Sequence, residues 1–285
     1  MNTLLSDGID CHLHLFGDTL SYPAITARTY TPVEATLAEW QAISHPLGIQ
    51  RAVLVQPSVY GSDNARLIDG LREAGGLARG VAVIDDKTPD DALEIMHTLG
   101  VRGLRLNLAT GDIPDEKSVV AKLQNTAARI ASLGWHLQVL ARGALLEMIV
   151  TLIPKLPVTV VFDHMAGAHV SLACKDPGFK AALKAFRDGK CWIKISGADH
   201  VSNKRDEPEQ ALTIMRTLVE ANPDHLIWGS DWPHIGKARG AHSVEYLAID
   251  HGRLLALLRL AAGDSYNRIM CENPARLYGW NDQSA

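Results

Sequence analysis

Much of what marks other protein classes is missing from this 285-residue sequence. It has no block of basic residues and a net charge of −4, so nothing in it is built to neutralise nucleic-acid or membrane phosphates. No apolar run approaches the ~20 residues that a membrane helix needs, and no basic stretch followed by an apolar one opens the chain. The four cysteines, Cys11, Cys174, Cys191 and Cys271, are scattered without a CxxC pair. That argues against a disulfide framework and for a reducing, cytoplasmic setting. A GxSxG elbow, a Walker A loop and a GxGxxG fingerprint are all absent, as are low-complexity tracts and linkers.

What the sequence does contain is alternation. Short apolar, β-branched runs fall at 8–14, 51–56, 79–84, 101–107, 136–140, 157–163, 191–196 and 226–230. Near-continuous apolar runs suit parallel strands covered on both faces. Between them, 34–47, 63–74, 88–99, 117–133, 143–154, 178–188 and 208–221 read as amphipathic helices, and 242–278 as two or three more. In 88–99, Thr88 is placed to cap, with Pro89 first in the helix and Asp90 and Asp91 at its positive end. Eight β/α units predict a single α/β domain over 1–285, a (β/α)₈ TIM barrel, for which about 250 residues is the usual length. A doubly wound open sheet is the structural alternative, but DCHLHLFG is not the Gly-rich loop it requires after the first strand.

Polar residues gather at the C-terminal ends of these runs, where barrel active sites are built. Asp10, His12 and His14 end the first, Gln56 and Ser58 the second, and Arg105 and Asn107 the fourth. Gln138 lies on the fifth, Asp163 and His164 end the sixth, and Asp231 ends the eighth. Period two puts His12 and His14 on one face, directed into the barrel, with Ile9, Cys11 and Leu13 toward the helices. The same parity turns His164 inward and Asp163 outward to a structural hydrogen bond. Arg105 and Asn107 share the inward face, and the arginine needs an anion from either the protein or a substrate. Asp231, between tryptophans, is either a cap or a catalytic carboxylate. Lys194 and Ser196 point inward, Lys194 toward Asp231 or another acid. Lys204, Arg205, Lys237 and Arg239 read equally as solvated charge or anion contacts. The long stretch 15–32, with Arg28 and Tyr30, is placed to wall a pocket.

With DxHxH at 10–14, FDHMAG at 162–167 and WGSDWPH at 228–234, the sequence resembles the amidohydrolase superfamily along nearly its whole length. RTYTP, LVQPSVYGSDN, GVRGLRLNL, GWHLQVL, DHMAG and IKISG narrow the resemblance to the 2-pyrone-4,6-dicarboxylate hydrolase-like branch, which also holds sugar-acid lactonases and a lactone isomerase. The resemblance implies that His12, His14 and His164 polarise a lactone carbonyl while Asp231 activates water and later protonates the leaving oxygen. It implies that Arg105 holds a substrate carboxylate and that Tyr30, Ser58 and His234 contact substrate, with Asn107 and Gln138 as further binding candidates. The expected partner is a small carboxylated lactone, with copies of the chain itself as the only macromolecular candidate.

Metal-binding members of the superfamily add a histidine from the fifth or sixth strand. Here Gln138 takes the fifth-strand rim, His136 lies too deep, and Arg105 stands where a bridging lysine would. A two-metal centre is therefore not expected. The branch implies no metal, and a single zinc or manganese on His12, His14, His164 and Asp231 is the alternative. One departure bears on substrate. LNLATGDIPD offers no second arginine after Arg105, and the loop after IKISGADH offers only Lys204 and Arg205. A monocarboxylate or sugar-acid lactone thus fits as well as a dicarboxylate. A metal-dependent hydrolase or decarboxylase, a lactone isomerase and a non-catalytic barrel remain the competing readings.

Overall fold

A computed structural model describes residues 6–109, 115–172, 175–236 and 244–280. Cys174, Lys237 and Arg239 lie outside the described residues. Eight parallel strands form one sheet in sequential order: β1 Gly8–Leu13, β2 Ile49–Val55, β3 Ala78–Ala82, β4 Val101–Asn107, β5 His136–Leu140, β6 Val160–Phe162, β7 Trp192–Ile195 and β8 Leu226–Trp228. The helices after β1 to β6 are α1 Leu37–Ser44, α2 Ala65–Glu73, α3 Asp90–Thr98, α4 Glu116–Ile130, α5 Gly143–Leu152 and α6 Pro177–Arg187. A short α7, Ala198–Val201, and α8, Leu212–Ala221, follow β7, and α9 His251–Ala262 and α10 Asn273–Tyr278 follow β8. Parallel strands joined through helices in this sequential order make the barrel that the alternating pattern predicts.

The helices form for ordinary reasons. In α4, Asp115 caps by accepting from Ser118 N, and Val119, Leu123, Ala127 and Ile130 give the buried stripe. In α3 the expected cap is corrected. The helix starts at Asp90 behind Pro89, and the Thr88 hydroxyl bonds Asp85 instead.

The barrel closes where the end of β1 meets the segment after β8. Asp231 N donates to His12 O at 2.8 Å, and His14 N to Trp232 O at 2.9 Å. Gly229 permits this approach, since a Cβ there would lie 2.5 Å from the His12 Cβ.

Inside the barrel, Ile9, Cys11, Val53, Val55, Val81, Val161 and Ile227 meet Tyr278 and Trp280 of the C-terminal segment. Only the barrel interior brings β2 and β3 together with β6 and β8. Leu13, Leu54, Leu104, Phe162 and Trp228 belong instead to the outer, helix-covered layer. Strict alternation along β1 is thereby corrected. Ile9 and Cys11 face inward, and Asp10 faces out, accepting from Trp40 Nε1 of α1 at 3.0 Å and from Ser230 Oγ at 2.6 Å. The pairing of β1 with β2 shifts between Asp10 and Leu13, where three steps on β1 match two on β2. This bulge resets the alternation, so His12 and His14 point inward after all.

Candidate active site

The end of β6 carries a second correction. Asp163 continues the inward set of Val161 and is fully buried, rather than turning to the helices. Its Oδ1 lies 3.3 Å from His12 Nδ1, and its Oδ2 accepts from Arg105 Nε at 3.1 Å and Gln138 Nε2 at 3.0 Å. His164 reaches the site by a different route, with a left-handed backbone at φ 48° that continues through Met165 and Ala166. Asp231 also has a positive φ, 69°. Non-glycine residues held this way cost of order 1–3 kcal/mol each and tend to mark functional sites. Gly197 makes room for His164, because a Cβ there would meet its Nδ1 at 2.7 Å.

Asp231 stands at the centre. Its Oδ1 is 3.5 Å from His12 Nε2 and 3.7 Å from His14 Nε2, and its Oδ2 is 3.0 Å from His200 Nε2. Burial alone would raise this carboxyl, but His164, His200 and His12 outweigh it and hold it well below the usual carboxylate range. Burial pushes His12 and His14 down to about 4 and His164 to about 3, so these rings are neutral near pH 7. His200 is the exception, since Asp231 outweighs the opposing effect of burial and raises it.

Above this floor lies a cavity of about 220 Å³. His14, Tyr30, Ser58, Arg105, Asn107, His164 and Asp231, all expected from the sequence, line it. His12 and Gln138 are sealed beneath, and Gln138 joins Asp163 to Lys194 rather than reaching the cavity. His234 is turned away, with its Nε2 3.1 Å from His251 Nε2. His136 is as deep as expected, edge-on to the Tyr278 ring. Lys194 pairs with neither Asp231 nor solvent. It donates to Cys11 O and Gln138 Oε1 and stands 4.0 Å from Asp163. Lys204 is a solvated charge paired with Glu207, and Arg28 bonds Thr31 within its own loop.

Three cavity residues stand apart from the main expectation. Arg205 lines the cavity while bonding Asp199, Arg142 enters from the start of α5, and His200 from α7. His200 sits four residues beyond Ser196 in IKISGADH, so its place past an inward strand end was the available signal. Arg142 carries no such mark, because it belongs to no strand.

His12, His164 and Asp231 bring ligand atoms within 4.8 Å of one another, close enough to hold a metal ion, and Asp199, His200 and Asp231 form a second such group. The donor set fits a cation. His14 Nδ1 is held by Val55 O at 2.7 Å and His12 Nδ1 faces Asp163, which leaves both Nε2 atoms as the available ligands.

A parallel eight-stranded barrel with an HxH pair and a β8 aspartate at its C-terminal mouth defines the class. The chain belongs to the amidohydrolase family, whose model matches residues 9–280. Among its relatives, 2-pyrone-4,6-dicarboxylate hydrolase of Comamonas testosteroni is 30% identical over 98% of this chain and 92% of that protein. The 4-sulfomuconolactone hydrolase of Rhizobium radiobacter is 30% identical over 95% of this chain and 89% of its own length. A crystal structure from Acinetobacter baumannii, described as a probable 2-pyrone-4,6-dicarboxylic acid hydrolase with citric acid bound, superposes with a TM-score of 0.82 at 24% identity. It covers 95% of this chain and 99% of that one. Among the described residues, no helix is long and apolar enough to cross a membrane.

Proposed function

We propose that this protein is a hydrolase that opens a lactone bearing an acidic group. The observation that carries the reading is the ionised Asp231 on the floor of a cavity whose walls hold Arg105, Arg142 and Arg205. The relatives named for 2-pyrone-4,6-dicarboxylate and 4-sulfomuconolactone act on anionic lactones, which suits such a wall.

Asp231 takes a proton from water as its oxygen adds to the lactone carbonyl carbon. The ring C–O bond then breaks, and the same proton passes to the leaving oxygen. Of the three histidines expected to polarise the carbonyl, His164 is the one poised to do so when neutral. Ser196 Oγ accepts from its backbone N–H and lies 3.0 Å from ring Nδ1, and in the tautomer where the hydroxyl donates to Nδ1 the hydrogen sits on Nε2. His12 and His14 have their Nδ1 atoms facing acceptors, so their neutral rings present lone pairs at Nε2.

Those lone pairs, converging on Asp231, favour a second reading in which His12, His164 and Asp231 hold one zinc or manganese ion beside His14. Such an ion supplies Lewis acidity at the carbonyl. A panel of carboxylated and sugar-acid lactones with a pH indicator tests the function. Asp231→Asn is expected to fold and to lose turnover by at least ~100-fold. Near-wild-type hydrolysis in that variant would sink the mechanism. Elemental analysis of the purified protein separates the readings: stoichiometric metal, with activity lost to a chelator and restored by the ion, selects the second.

A further inference from the structure

Beneath the cavity lies an arrangement that the proposed mechanism does not use. Asp163 divides its two oxygens. Oδ2 accepts from Arg105 Nε and Gln138 Nε2, and Oδ1 faces His12 Nδ1 at 3.3 Å. The Gln138 amide has only one orientation that fits. Lys194 Nζ, which can only donate, lies 2.6 Å from Oε1, and so the amide nitrogen is the atom that faces Asp163. Lys194 also donates to Cys11 O at 2.7 Å. That carbonyl lies in the β1 bulge that turns His12 inward, where the regular ladder is broken. Asp163 Oδ1 and His12 Nδ1, both buried and with no hydrogen-bond partner elsewhere, are thus set facing each other, and Lys194 holds the backbone that presents the ring.

We propose that Asp163, braced by Lys194, is a positioning residue that fixes His12 as its Nδ1–H tautomer with Nε2 turned to Asp231, and aims Arg105 with the same carboxylate. The proposal rests on the reading above only in taking His12 and Asp231 as part of the reacting centre. Asp163→Asn discriminates sharply. Arg105 and Gln138 both donate at the Oδ2 position, so the amide oxygen must sit there. Its NH₂ then faces His12 Nδ1 and forces that nitrogen to accept. His12 flips to the Nε2–H tautomer, while Arg105 keeps its acceptor.

Long-range ¹⁵N–¹H spectra of the full-length protein read the tautomer, with His12 assigned by its loss in His12→Gln. In the wild type we expect Nδ1 protonated and Nε2 bare, and in Asp163→Asn the reverse. On a lactone that the wild type opens, Asp163→Asn is expected to lower kcat by about 100- to 10,000-fold and leave KM within about threefold. Lost packing alone would not invert the tautomer. A wild-type His12 protonated on Nε2 overturns the proposal, as does an Asp163→Asn protein that keeps the wild-type tautomer. Should Asp163→Asn fail to fold, the wild-type spectrum still decides. Absence of lactone turnover in the wild type would count against the proposed function and leave the tautomer result standing.

Discussion

At the C-terminal end of the barrel the inward charges are buried against one another, whereas at the other end the arginines lie over an aromatic ring, with Arg51 also pairing with the exposed Asp7. Arg105 is bound to Asp163, and His12 lies between Asp163 and Asp231. At the opposite end, Arg51 and Arg79 lie over the Trp280 ring at 5.2 and 4.8 Å, and Arg79 Nε donates to Tyr278 O. His136 there packs edge-on to Tyr278. His12 and His136 make the contrast plain. Both are buried inward histidines, and burial pushes one ring to about 4 and the other to about 3. Only His12 has carboxylates on both sides and a cavity above. An imidazole becomes chemically useful through what it faces, not through its burial.

The largest expected effect tests that contrast directly. His12→Gln is predicted to lower lactone turnover by about 100-fold or more, the scale of a lost group at the reacting centre. His136→Gln is predicted to stay within about twofold. Steady-state rates for the two variants, with circular dichroism to confirm folding, check it. Equal losses would erase the distinction between the two ends.

Acid should remove it where stability is concerned. Unfolded histidines titrate near 6.5, while burial holds His12 and His14 to about 4 and His136 and His164 to about 3. Between those limits the unfolded chain binds more protons, so stability falls as pH drops below 6.5. Each such ring contributes about 1.4 kcal/mol per pH unit across that window. Urea midpoints from pH 7 to 4.5 measure the slope. His136→Gln should flatten it by one ring's share without changing turnover, and an unchanged slope would contradict the assignment.

Most of this architecture was legible in the residues. Eight apolar runs separated by amphipathic stretches yield the eight strands, because both sheet faces are covered and burial dictates the pattern. His14, Arg105, His164 and Asp231 were found because each sits where a run ends. The failures share one cause: alternation assumes an unbroken pleat. A bulge between Asp10 and Leu13 reverses the faces of Ile9, Asp10 and Cys11, and the inward turn of Asp163 is followed by a left-handed His164. Neither event leaves a mark in local hydrophobicity. His200 and Arg142 were not singled out because loops and helix starts, rather than strands, deliver them to the cavity.

Arg142 offers the smallest and most specific test of the polar end. It lines the cavity, and among the described residues its side chain makes no hydrogen bond or ion pair, in contrast to Arg105 on Asp163 and Arg205 on Asp199. A guanidinium without a protein anion is the one best placed to take a substrate's acidic group in a forked pair. Being exposed at the mouth, it should act on binding rather than on the reacting carbonyl. A charged hydrogen bond of this kind is worth about 1.5–3 kcal/mol, and solvent at the mouth favours the lower figure. Arg142→Ala is therefore expected to raise KM for a carboxylated lactone about tenfold with kcat nearly unchanged, and to leave KM for an uncharged lactone alone. A matching loss on both substrates would mean that Arg142 shapes the mouth without recognising charge, and that the anion is held deeper, at Arg105.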